Sequence, residues 1–202
     1  MRLFINGSMS VSLLLLCGCP MTDGDAAARP KAELQSVYTD LGGESCRKEI
    51  DKTDPNETPY LACPGVGGYT LNVRRVDAGR RSIDIVDPAQ RAFPLNYQEF
   101  VTRHMFTLDG QAEWRVRTKD GRQAPVALIV RVQAHEDNGN PEKVTRTYLA
   151  VAKITADGAC VTDKIPESTR SEAEVRSTAD SAQMRPCAPP RPPMTADGAV
   201  IR

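Results

Sequence analysis

The chain has 202 residues, with 26 basic residues balancing 26 acidic ones and aromatics at only 5%. Zero net charge gives no general pull toward nucleic acid or anionic membranes, and no basic run is interleaved with stacking residues, so nucleic-acid binding is excluded as a primary role. The two histidines, His104 and His135, are the whole supply of imidazole, which narrows the scope for metal and acid-base chemistry.

Residues 1–19, MRLFINGSMSVSLLLLCGC, place Arg2 ahead of a short apolar run from Val11 to Leu16 that is too brief to span a bilayer. This pattern reads as an export signal. Leu16-Cys17-Gly18-Cys19 further resembles the bacterial lipoprotein signal, which implies lipid attachment at Cys19 and a membrane contact made only through that anchor. Cleavage after Ala26-Ala27-Ala28, leaving a free mature protein, is the competing reading. Removal of the signal leaves about 175 residues, enough for one domain with its own core.

Residues 20–36 are polar and alanine-rich and read as a tether; a single domain is expected over 37–187. Residues 188–202 are proline-rich and read as a disordered tail. Cys46, Cys63, Cys160 and Cys187 remain after the signal, an even number that in an exported chain points to disulfides. Four cysteines allow three connectivities; pairing of sequence neighbours, Cys46 with Cys63 and Cys160 with Cys187, is the first expectation.

Within the domain the dominant period is two. Tyr69, Leu71 and Val73 alternate with Thr70, Asn72 and Arg74, and after a turn at Asp77-Ala78-Gly79 a second strand over 82–86 supplies a hairpin partner. Tyr97, Phe100, Val101 and His104 then fall at helical spacing, with Asn96 and Glu99 placed like a capping box, so a short amphipathic helix with a packed His104 is expected. Leu108-Asp109-Gly110 should close that segment.

Ala112, Trp114 and Val116 begin another alternating strand, followed by turn chemistry at Lys119-Asp120-Gly121-Arg122. Residues 126–132 and 148–154 are apolar on both faces for part of their length and read as central strands, joined by the polar loop 135–141. After Cys160 a helix is expected, capped by Thr169 with Glu172 or by Ser171 with Glu174. Its narrow stripe of Val175, Ala179 and Ala182 would let it lie on a sheet. The expected fold is α+β, a single antiparallel β-sheet with one or two helices packed against it; a small closed β-barrel is the alternative.

Each apparent motif has a simpler structural reading. In YLACPGVGGYTL, residues 60–71, Gly65 and Gly67 begin a dinucleotide fingerprint, but Thr70 stands at the third glycine and the segment runs into a strand. No phosphate-loop lysine follows and no C-x-x-C is present, so the stretch reads as a turn stapled by Cys63 and stiffened by Pro64. Ser45 and Lys48 have the S-x-x-K spacing of penicillin-binding proteins, yet the companion S-D-N and K-T-G elements are missing. Neither Asp51, Asp54 and Glu57 nor His135, Glu136, Asp137 and Asn138 have calcium-loop spacing. No metal ligand set, cofactor or catalytic residue is assigned.

Basic residues are concentrated between positions 64 and 132, eleven against seven acidic. Arg115 and Arg117 should share the face opposite Trp114, and Arg131 could continue that row on a neighbouring strand. Together they are the candidate binding residues, suited to carboxylates or phosphates of an envelope protein or anionic ligand.

The order C-P-G-x-x-G-Y from Cys63, E-W-R from Glu113 and A-L-I-V-R-V from Ala127, ahead of a final cysteine, resembles a group of uncharacterised exported bacterial proteins over residues 37–187. That resemblance implies an envelope location and no particular activity. Tyr60-Leu61-Ala62-Cys63 before a hairpin is weakly similar to the opening of the membrane-bound inhibitors of c-type lysozyme, small lipoprotein barrels whose serine-glycine-x-x-tyrosine loop has no counterpart here. The expected function is a non-catalytic binding or inhibitor-like module of the periplasm or outer membrane; a small cell-wall-directed hydrolase, or a secreted soluble form, is the alternative.

Overall fold

The computed structural model describes residues 34–77, 79–137 and 139–191, all within one compact unit. The signal, Cys19, most of the tether and residues 192–202 lie outside the described residues. The first strand, β1 (Leu34–Asp40), begins inside the expected tether. At the other end Ala188 donates its amide to the Val161 carbonyl at 2.7 Å and packs against the core, and Arg191 hydrogen-bonds the carbonyl of Val101.

A short-strand region follows β1. β2 (Arg47–Ile50) and β3 (Pro59–Pro64) form a hairpin, and β4 (Thr70–Arg75) and β5 (Arg81–Val86) form the hairpin expected from the alternation, with Thr70 opposite Val86. β6 (Ala92–Pro94) pairs with β5 at the far edge. Then come the one-turn helix α1 (Tyr97–Phe100) and the long strands β7 (Met105–Lys119), β8 (Arg122–His135), β9 (Arg146–Thr155) and β10 (Gly158–Pro166). Helix α2 (Glu172–Asp180) closes the described fold.

Among the described residues the strands form two five-stranded antiparallel sheets. One, the long sheet, has the order β1-β7-β8-β9-β10, and the other, the short sheet, β2-β3-β4-β5-β6. This corrects the expectation of a single sheet: the fold is mainly β, and neither sheet closes into the alternative barrel. The reason lies in the core. Leu71, Val73, Ile83 and Ile85 of the short sheet and Trp114, Val116, Leu128, Val130 and Ile154 of the long sheet belong to one buried cluster. Each sheet thus presents its apolar face to the other, as in a β-sandwich. Placement of β8 and β9 in the interior of the long sheet agrees with their two-sided apolarity.

A second, smaller cluster covers the outer face of the long sheet. Ala127, Ile129, Leu149 and Val151 meet Val175, Ala179 and Ala182, the small-residue stripe read from the sequence. Ser171 is the N-cap of α2: its hydroxyl accepts from the Glu174 amide while the Glu174 carboxylate accepts from the Ser171 amide, so of the two capping boxes the second forms.

The expected helix over 97–104 is cut short. Tyr97 and Val101 are buried, but the chain leaves the helix at Val101 and His104 is exposed. Asn96 has φ 43 and makes no side-chain cap, so the anticipated box with Glu99 is absent. Two buried residues four apart need only one turn, and β7 begins at Met105 immediately afterwards.

Both disulfides join sequence neighbours, Cys46 to Cys63 and Cys160 to Cys187. The first ties β2's start to the buried end of β3. The second clasps the segment after α2 to the edge strand β10, which holds the helix over the sheet. Gly65 follows the first staple because nothing larger fits: a Cβ there would stand 2.6 Å from the Tyr69 carbonyl oxygen and 2.7 Å from Cζ2 of Trp114.

Candidate functional site

Long strands alternate their side chains, so on β7 the core residues Ala112, Trp114 and Val116 put Glu113, Arg115 and Arg117 on the outer face. On β8, Ala127, Ile129 and Arg131 share that face. The row of three arginines is therefore on one side of one sheet, but their surroundings differ.

Arg115 is 7% exposed, beneath α2. Its Nε and Nη2 donate to the two carboxylate oxygens of Asp180 at 2.6 and 3.1 Å, and Nη2 also reaches the Leu34 carbonyl at 2.9 Å. Its remaining nitrogen donates to Ser36 Oγ, which in turn donates to Glu113. Arg115 thus fastens β1, β7 and α2 together. Arg131, more open, donates to Glu167 at 2.8 Å and to Asp109 at 3.0 Å. Arg117 is exposed on β7, opposite Leu34 and Ala124.

Asp109 reaches Arg131 through an irregularity in β7. Leu108 pairs with Val132 and Ala112 with Val130, so Asp109, Gly110 and Gln111 together oppose Arg131. Such a bulge re-aims the side chains it carries. Here Asp109 meets Arg131, Gln111 meets Asp40, and both line a groove that α2 borders. The residues read as a helix terminator are the bulge of a long strand.

Between the bulge, β1 and α2 lies a groove of about 350 Å³. Its floor is apolar, formed by Ile129, Leu149 and Val175. Its rim is ionic, with Arg131 and Arg176 set among Asp109, Glu113 and Glu172. Arg176 Nε donates to Glu113 at 2.7 Å, and its Nη2 donates to both Glu172 and the Tyr38 hydroxyl at 3.0 Å. Burial alone would raise the Glu113 carboxyl, but the hydrogen bonds from Arg176 and Ser36 hold it below its ordinary value. Arg131 shows the mirror case: burial works against its charge, and Asp109 and Glu167 raise its pKa all the same. The shifts at Glu113, Arg131 and Arg176 all favour the charged form, so these three groups are ionised at neutral pH.

Of the groove's polar residues only Arg131 stands among the binding residues expected from the sequence; Arg176, Glu113, Glu172, Asp109 and Tyr38 do not. The i, i+4 spacing of Glu172 and Arg176 on the polar face of α2 was the one local signal available. The other partners come from distant segments; Arg176 and Tyr38 are 138 positions apart.

The remaining sequence candidates have local structural roles. Asp51 accepts from the hydroxyl and amide of Thr53, which together with Arg74 hold it down to about 2, and Asp54 accepts from the Asn56 amide at 2.9 Å. Ser45 Oγ donates to the Gly42 carbonyl at 3.3 Å. His135 Nε2 lies 3.4 Å from Thr107 Oγ1. Among the described residues no group of His, Cys, Asp and Glu side chains is arranged to hold a metal ion, and no helix is long and apolar enough to cross a membrane. Compared with protein-family models, curated proteins and solved structures, the chain matches none.

Proposed function

We propose that this is an exported bacterial envelope protein, lipid-anchored at Cys19, that acts as a non-catalytic binding module and takes a segment of a partner protein into the groove beside α2. The observation that carries this reading is the groove itself: an apolar floor of Ile129, Leu149 and Val175 inside a rim whose charges are paired within the chain. A partner's apolar side chain fits such a floor, and its backbone and polar groups fit the rim, because paired guanidiniums and carboxylates still offer unused donors and acceptors. Export is supported by the apolar leader and by two disulfides, which persist in oxidising compartments. The likeness of the C-P-G-x-x-G-Y, E-W-R and A-L-I-V-R-V stretches to exported bacterial proteins supports the same address.

The test is site-specific photo-crosslinking in the native envelope, with the photoreactive residue at Gln111 in the groove and a control at Arg117 on the open face. A dominant neighbour captured from position 111, weaker from 117 and lost with Leu149→Arg, is the expected result; the same mass spectra read the mature N-terminus and any lipid on Cys19. Equal capture from both positions, or capture that survives Leu149→Arg, would remove the groove from the reading.

A further inference from the structure

The short sheet carries another cavity, of about 250 Å³, at the rim of its core-facing side. Strand register explains its lining. Lys48 lies opposite Leu61, Leu61 opposite Val73 and Val73 opposite Ile83, one row across four strands, and Val73 and Ile83 are buried in the main core. Two residues along each strand the same face continues as Ile50 opposite Pro59 and Arg75 opposite Arg81. Where the core ends, two guanidinium side chains therefore stand directly across from each other, with Lys48 one row away.

All three cations are exposed, and among the described residues their side chains make no hydrogen bond or ion pair. No aspartate or glutamate lines the cavity. Neighbouring arginines are treated differently: Arg74, on the other face of β4, is bound by Asp51 and Asp84, and Arg80 by Asp77. Arg81 also borders an adjoining cavity, but there Asp40 is engaged by Gln111 and Asp109 by Arg131. Like charges directly opposed on paired strands destabilise the pairing. Arg74, Arg80, Arg91, Arg115, Arg131 and Arg176 are each met by a carboxylate of the chain; here three cations converge without one over an apolar floor of Leu61, Val73 and Pro59.

We propose that Lys48, Arg75 and Arg81 form a binding site for a phosphate-bearing ligand. Two planar guanidinium forks match phosphate oxygens bidentately, and the lysine ammonium adds a third charge. The apolar floor accommodates the part of the ligand that carries the phosphate. The site is on the short sheet, independent of the groove beside α2, and the same chemistry describes a free phosphate compound or a lipid headgroup.

The experiment uses the full chain, titrated with inorganic phosphate and, separately, sedimented with vesicles of phosphatidylcholine containing a quarter phosphatidylglycerol, against chloride at matched ionic strength. Saturable shifts of the resonances of residues 48, 75 and 81 by phosphate are expected for a free-phosphate ligand; sedimentation with the anionic vesicles alone assigns the headgroup. Either affinity should fall about tenfold for each guanidinium removed in Arg75→Gln and Arg81→Gln. Arg75→Lys, which keeps the charge and loses the fork, should weaken binding less, Lys48→Met should weaken it without touching the strand pair, and Arg117→Gln should leave it unchanged. Equal shifts in chloride, undiminished affinity in both Arg75→Gln and Lys48→Met, or binding to neither probe would overturn the proposal.

Discussion

Asp180, at the last turn of α2, grips Arg115 on the outer face of β7 with both carboxylate oxygens, at 2.6 and 3.1 Å, across 65 positions of sequence. Arg115 is almost wholly covered, and this partner, with the Ser36 hydroxyl and Leu34 carbonyl beside it, takes the place of water around the guanidinium. Arg115→Met should destabilise the domain by about 2 kcal/mol, because it strands a carboxylate at the sheet and cuts two ties to α2 and two to β1. Asp180→Asn should cost less, and a double-mutant cycle read by urea denaturation should return a coupling energy well above zero. An additive cycle would mean the pair is only a surface contact.

Gly65 and Gly110 make a matched pair of substitutions. Gly65→Ala pushes a methyl into Trp114 and the Tyr69 carbonyl, whereas nothing lies within 4 Å of a Cβ at Gly110. Thermal unfolding should show a loss of about 2 kcal/mol or more at Gly65 and a change within about 0.5 kcal/mol at Gly110.

Tyr97 is 1% exposed and its hydroxyl has no hydrogen-bond partner. Tyr97→Phe removes the desolvated oxygen and keeps the ring, so stability should stay level or rise by about 1 kcal/mol. Burial pushes the Tyr97 phenol far above its ordinary 10.0. Above pH 10 the unfolded chain loses this proton and the native chain keeps it, so the wild type should lose stability there more steeply than the phenylalanine variant.

Lys164, on β10, rests over the Tyr148 ring, its Nζ 3.9 Å from the centroid. Burial, with Arg191 and Arg146 nearby and only Glu136 opposing them, pulls its pKa from 10.5 to about 8. Between those values the unfolded chain holds the proton that the native chain has released, so stability should rise with pH across that window. Lys164→Met should flatten the rise, as measured by denaturant midpoints at successive pH values. An unchanged slope would mean the ammonium is solvated.

Non-reducing peptide mapping should yield the Cys46–Cys63 and Cys160–Cys187 fragments. Replacing Cys160 and Cys187 together by alanine should cost about 3 kcal/mol on the chain-entropy account and should raise hydrogen exchange first in α2, whose following segment that bond clasps to β10.

The sequence by itself determined which residues alternate. Strands β4, β5, β8 and β9, the Asp120-Gly121 turn with φ 51 and 71, the Ser171 cap and the apolar stripe of α2 were legible because each depends on neighbours a few positions away. It also put Arg115, Arg117 and Arg131 on one face, since a period of two fixes sidedness. Sidedness does not say which sheet a strand joins. β2, β3 and β6 are short and bounded by turn residues, so their membership in a separate sheet is decided by a core that Leu71 and Ile83 share with Trp114 and Leu128. The groove followed the same division. Arg131 was visible in the sequence, but Asp109 reaches it only through the bulge in β7, and Arg176 reaches Glu113 only because Val175 and Ala179 seat α2 on Ile129 and Val151. Long-range packing decides which charges meet, and no local pattern encodes it.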